Sequence, residues 1–192
     1  MKKLLFALAL LITSISFSQE LVKSVPLKVA KKSDVFQVVD SEKKQVLLFF
    51  SNKDGVKTIR FNDNFELRDS LSGNRPYQEY DDIIGYSISN NKYYSYWASS
   101  NSKEIAYQCF DFENKKIEFK TYQLEFIKEK PIEKITVNNV FYLITILKNT
   151  STLNFYVFKD GKMDKKSIDL SGKTFIDGEN KKTNLWDLVS RG

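Results

Sequence analysis

Histidine is absent from this chain of 192 residues, and cysteine occurs once, at Cys109. Without histidine there is no Ser-His-Asp or Cys-His nucleophile system, no imidazole metal ligand and no side chain suited to switching at physiological pH. A single cysteine leaves no intrachain disulfide, so stability has to come from sheet pairing and apolar burial. Arginine is scarce as well: Arg60, Arg68, Arg75 and Arg191 are the only ones among 30 basic residues. No basic run exceeds two adjacent residues, and bidentate readout of phosphates and bases favours arginine. Nucleic acid is therefore not an expected partner. The abundance of Lys, Asn, Ile, Phe and Tyr fits the codon bias of an AT-rich genome better than a charged binding face.

What is present begins at the first residue. Residues 1–18, MKKLLFALALLITSISFS, have the three parts of a cleavable secretory signal in order. Lys2 and Lys3 form the basic start, and Leu4 to Ile12 are apolar but too few to span a bilayer. Ser16 and Ser18 place small residues at −3 and −1 for cleavage before Gln19. An uncleaved anchor is the plainer alternative, and the same shortness argues against it. No cysteine lies near the cleavage point, which excludes a lipoprotein anchor, and no later run is apolar enough to cross a membrane. The expectation is a bacterial, secreted or periplasmic protein. After cleavage, 28 basic residues face 24 acidic ones, a mild excess.

Compared with itself, the chain repeats. VLLFF at 46–50 is matched by YYSYW at 93–97 and FYLIT at 141–145. VKTIRF at 56–61 is matched by IAYQCF at 105–110 and LNFYVF at 153–158. The offsets lie between 47 and 49 residues, and periods of about 40–50 residues mark repeat architectures. Within each unit, alternating apolar and aromatic runs are separated by Asn, Asp, Gly and Ser turns, which reads as four strands in series. First strands are expected near 34–40, 83–89 and 132–138, and fourth strands near 65–71, 116–124 and 163–170.

This layout resembles the β-propeller superfamily over residues 33–170, at the level of blades and of no specific family. The paired glycines of kelch blades and the Gly-His…Trp-Asp frame of WD blades are missing, and Trp186-Asp187 falls outside the repeat. Tyr96-Trp97 is faintly similar to the YWTD class, but Ser99 stands where that class has Asp. The resemblance implies an all-β chain of about three four-stranded antiparallel blades. The expected order is a lone N-terminal strand in 19–32, repeats at 33–76, 80–127 and 131–171, then a linker and the start of an incomplete fourth repeat in 172–192. Propellers close with four to eight blades, so an incomplete propeller, and a truncated chain, is expected. An open array, or a ring closed by a second chain, is the rival.

Candidate sites are few. Tyr77, Tyr80 and Trp97 are the aromatic candidates for contact with a ligand. The run Tyr93, Tyr94, Tyr96 and Trp97 corresponds to mostly apolar positions in the other units, which favours core packing, with Trp97 opposite Thr145 and nearest a rim. Cys109 reads as a small core residue. Ser89 to Lys92 has the S-x-x-K spacing of serine acyltransferases but lies in a hairpin turn rather than at a helix start. Gly172-Lys173-Thr174 lacks the earlier glycine of a P-loop, Ser167 standing in its place. Asn62-Asp63-Asn64 lacks the glycine and distal glutamate of a calcium loop. Asn149-Thr150-Ser151 is a glycosylation sequon, relevant only in a glycosylating host. Asp40, Glu79, Asp81, Asp82 and Asp111 are carboxylates that could converge from different repeats. No catalytic residue, cofactor or metal site is expected. The functional expectation is an exported, non-enzymatic binding or scaffold module with a protein or polysaccharide partner. The alternative is part of a secreted carbohydrate-active enzyme whose carboxylates converge from several blades or lie outside this chain.

Overall fold

Three tight turns are spelled Asn90-Asn91, Asn138-Asn139 and Asp160-Gly161, and all six residues have left-handed backbones with φ between 49° and 63°. Two successive positive φ values make the turn whose twist matches that of paired strands, and Asn, Asp and Gly tolerate them best. These turns close three hairpins of a computed structural model that describes residues 24, 26, 32–76, 80–99, 104–124, 126 and 128–190. The signal segment 1–18 with its cleavage point, most of the lone strand expected in 19–32, Tyr77 and Glu79 lie outside the described residues, as does the side chain of Asp81.

Twelve strands form three four-stranded antiparallel sheets in chain order. Blade I comprises β1 (Asp34–Asp40), β2 (Gln45–Asn52), β3 (Gly55–Phe61) and β4 (Leu67–Gly73). Blade II comprises β5 (Tyr80–Ser89), β6 (Lys92–Ser99), β7 (Glu104–Asp111) and β8 (Lys116–Gln123). Blade III comprises β9 (Glu129–Val137), β10 (Val140–Leu147), β11 (Thr152–Lys159) and β12 (Lys162–Asp169). Within each blade every strand pairs with the one before it, so the sheets are up-and-down and the fold is all-β with a propeller-like blade layout. The first strand of each blade is a sheet edge, and β5 touches both β1 and β9.

The core lies between blades, and the period of two decides which side chain enters which interface. Leu47, Phe49 and Val38 of blade I meet Tyr93, Trp97, Ala106 and Phe110 of blade II. Tyr94, Tyr96, Ile105 and Cys109, on the opposite face of blade II, meet Phe141, Leu143, Tyr156 and Phe158 of blade III. Tyr96 stacks on Phe141 with centroids 4.9 Å apart. Gly85 permits that approach, because a Cβ there would lie 2.2 Å from Cδ2 of Phe141.

In the segment expected to hold a linker and the start of a fourth repeat, the chain forms a small hairpin, β13 (Phe175–Ile176) with β14 (Lys182–Thr183), and a short helix, α1 (Leu185–Ser190). Asn184 caps the helix by accepting the Asp187 N–H at 2.9 Å, the usual role of Asn at a helix start. The apolar positions 185, 186, 188 and 189 follow a helical rather than an alternating period. The helix docks on the β10–β11 turn, where the Trp186 N–H donates to the Thr150 carbonyl at 3.0 Å.

Candidate functional site

The edge strands β5 and β9 run together at one end and part at the other. At the joined end the Ile88 N–H donates to the Asn139 carbonyl at 3.1 Å. The Thr136 hydroxyl donates to the Tyr86 carbonyl at 2.7 Å and accepts the Tyr86 N–H at 3.2 Å. One threonine thus supplies both bonds that a paired strand would supply there. At the other end the ladders of both blades are irregular. Against β6, strand β5 shifts register between Tyr80 and Asp82 and again between Ile83 and Gly85. Strand β9 shifts between Pro131 and Glu133. The residues left out of the ladders include Ile84 and Ile132. Bulges bend the strand and re-aim side chains, and Ile84 and Ile132 come to line one cleft.

That cleft, of about 740 Å³, is bounded by Asp82, Ile83, Ile84, Pro131, Ile132, Glu133 and Lys134. Asp82, Glu133 and Lys134 are exposed, while the isoleucines and Pro131 are half-buried. The result is an amphipathic groove with an apolar floor and charges of both signs. Proline suits an edge strand, where it takes no donor from the ladder.

The sequence candidates that the structure describes lie elsewhere, except Asp82. Trp97 is completely buried and donates its indole N–H to the Ser95 hydroxyl at 3.0 Å. Tyr80 is also buried, its hydroxyl donating to Glu104 at 2.8 Å. The two rings share the blade I–II core, with the Arg75 guanidinium 5.5 Å over the Trp97 ring and bonded to the Tyr80 carbonyl. Neither ring is offered to solvent as a stacking surface.

Asp40 and Asp111 hold turns. Asp40 accepts the Lys43 N–H at 3.1 Å and the Tyr93 hydroxyl at 2.9 Å, and the latter bond ties blade I to blade II. Asp111 accepts the backbone and side-chain N–H groups of Asn114 and pairs with Lys92 at 3.2 Å. Those donors, Asn114 first and Lys92 after it, hold its carboxyl down at about 2. Glu129 is almost enclosed; burial pulls its pKa up, but bonds from Lys165 (2.6 Å), Thr145 (2.6 Å) and Tyr156 (3.0 Å) outweigh that and hold it below the ordinary range. Every described carboxyl group with a displaced pKa is displaced downward, the direction that keeps it ionised rather than making it a proton donor near neutral pH.

Cys109 is buried against Tyr94 and Tyr107, and burial pushes its thiol pKa up, away from reactive thiolate. Lys92 of the S-x-x-K spacing follows the Asn90-Asn91 turn and faces Asp111. Asn62 folds its own loop by accepting the N–H groups of Asn64 and Glu66. Lys173, of the Gly-Lys-Thr triplet, donates its N–H to the Leu170 carbonyl in a turn. Missed from sequence were Ile84, Ile132, Glu133 and Lys134; the one local signal was Pro131 inside a strand.

No family model matches this chain, and no curated protein matches it. Among solved structures it is similar to the β-propeller domain of Nup133 from Vanderwaltozyma polyspora, at 14% identity and a TM-score of 0.33. The match covers 84% of this chain and 52% of that one, so the chain spans about half the length of that propeller domain.

Proposed function

We propose that the chain is an exported, non-enzymatic binding or scaffold module whose partner contacts the cleft between β5 and β9. The supporting observation is the convergence of two bulged residues from different blades, Ile84 and Ile132, on one groove edged by Asp82, Glu133 and Lys134. Bulges concentrate where a strand must re-aim a side chain for function. A groove with an apolar floor and a charged edge suits a protein or polysaccharide segment, which needs both buried contact and polar registration. A photo-cross-linking residue placed at Lys134 in the producing cell should give a discrete adduct. The same residue at Lys120 of β8, three strands away in blade II, should give none. Equal yields at both positions, or no adduct at 134, would overturn this reading.

A further inference from the structure

The chemistry of the cleft between β5 and β9 separates the two partner classes that its groove admits, protein and polysaccharide. Its floor is aliphatic, with Ile84 and Ile132 delivered by the two bulges and Pro131 beside them. Ile83 packs on the core between blades I and II, and Ile84 on the core between blades II and III. Both interfaces hold the floor in place before anything binds, which lowers the ordering cost of binding. Among the described residues that bound the cleft, none is aromatic. Tyr80 and Trp97, in the same blade as β5, are enclosed. A sugar ring presents a stiff face of C–H groups, for which a flat aromatic face is the matching surface. Branched aliphatic side chains offer no such face. They suit another aliphatic side chain, held by dispersion and by the release of water from apolar surface.

The rim adds charge. Asp82 stands on the β5 side, and Glu133 and Lys134 stand on the β9 side, all three exposed. The Lys134 N–H donates to Oε1 of Glu133 at 2.9 Å, which holds that carboxylate over its own strand. Each wall thus contributes one carboxylate, and the two outnumber the single ammonium. The rim is acidic on a chain whose formal net charge is +6. Complementarity of charge selects a cationic neighbour for the aliphatic group.

Size limits the partner further. The walls run over residues 82–84 and 131–134, so at ~3.3 Å per residue the groove is roughly 10–13 Å long. That is the reach of about three or four extended residues. The volume of about 740 Å³ lies in the range of roughly 300–1,000 Å³ that takes a small ligand. A loop tip or a chain end fits; a folded surface does not.

We infer that the cleft takes a short extended protein segment with an aliphatic side chain next to a lysine or arginine. This rests on the partner contact proposed above for the same cleft.

The probe is a phage-displayed library of random heptapeptides, selected on protein purified from producing cells. Selected sequences should share an aliphatic side chain beside Lys or Arg. The commonest, made synthetically, should bind in fluorescence anisotropy and suppress the adduct at position 134 when added in excess. Ile84→Ser with Ile132→Ser should weaken that binding about tenfold or more. Asp82→Asn with Glu133→Gln keeps an acceptor for the Lys134 N–H; it should weaken binding about three- to tenfold and flatten its salt dependence. Replacing the aliphatic residue of the peptide by Ser, or its basic residue by Gln, should have the same two effects with the protein unchanged. Cello- and chito-hexasaccharides should neither bind nor compete. A hexasaccharide that suppresses the adduct overturns the inference, as does a selection without the shared pair or a peptide that both double variants bind unchanged. An adduct at 134 together with any of these outcomes removes only the peptide class, whereas the absence of that adduct removes the cleft as a contact altogether.

Discussion

The middle blade and the two end blades are built from the same four-stranded unit, yet their sequences obey different rules. In β2, and in β10 as far as Ile144, burial alternates, with Leu47 and Phe49, or Phe141 and Leu143, buried and their neighbours half-exposed. In β6 the five consecutive residues from Tyr93 to Trp97 are buried, and β7 is nearly continuous as well. The cause is position in the array: blade II has a neighbour on each face, while each end blade has one. An aromatic run without alternation is thus what a strand looks like when both of its faces enter a core.

That contrast can be broken, and the largest effect should come from Trp97. Trp97→Ala opens the blade I–II core and should cost about 3–5 kcal/mol in a urea titration. Phe50 holds the equivalent position in blade I but is half-exposed, so Phe50→Ala should cost only about 1 kcal/mol. Equal losses at the two positions would show that the end face is as buried as the middle one. Gly85→Ala probes the other interface. Its new Cβ would overlap the Phe141 ring, which is fully buried, and should cost about 1–3 kcal/mol. Tyr93→Phe removes a hydroxyl but no ring, leaving Asp40 without its bond from the neighbouring blade; about 1 kcal/mol is expected.

The smallest effect is in pH. Tyr93 is pushed up to about 12, chiefly by burial and then by Asp40. Its contribution is intact below its ordinary value of ~10 and lost as the pH rises towards 12. Asp111 is held at about 2, so its contribution is intact above ~4 and lost as the pH falls towards 2. Glu129 acts in the same direction. With no histidine in the chain, the urea midpoint should be level from about pH 5 to 9 and fall on both sides. A step near pH 6 to 7 would contradict this assignment.

The repeat and its turns were legible because they are local. Asn90-Asn91, Asn138-Asn139 and Asp160-Gly161 specify their own backbone, and a period near 48 residues shows in any self-comparison. Asp82 was singled out among the carboxylates, but the cleft it edges was not legible. It needs a shift in β5 and another in β9, and a bulge arises from a mismatch between two paired strands rather than from either alone. Trp97 and Tyr80 were candidates because large aromatics serve cores and ligands alike; only the neighbouring blade shows that both are enclosed.

By itself the sequence determined four-stranded units, their number in this chain and the twist-compatible turns between their strands, since each depends on residues adjacent along the chain. Tertiary structure alone decided which face of each blade is covered, that Asp40 ties blade I to Tyr93 of blade II and where β5 and β9 part, because these depend on contacts between residues roughly 50 positions apart.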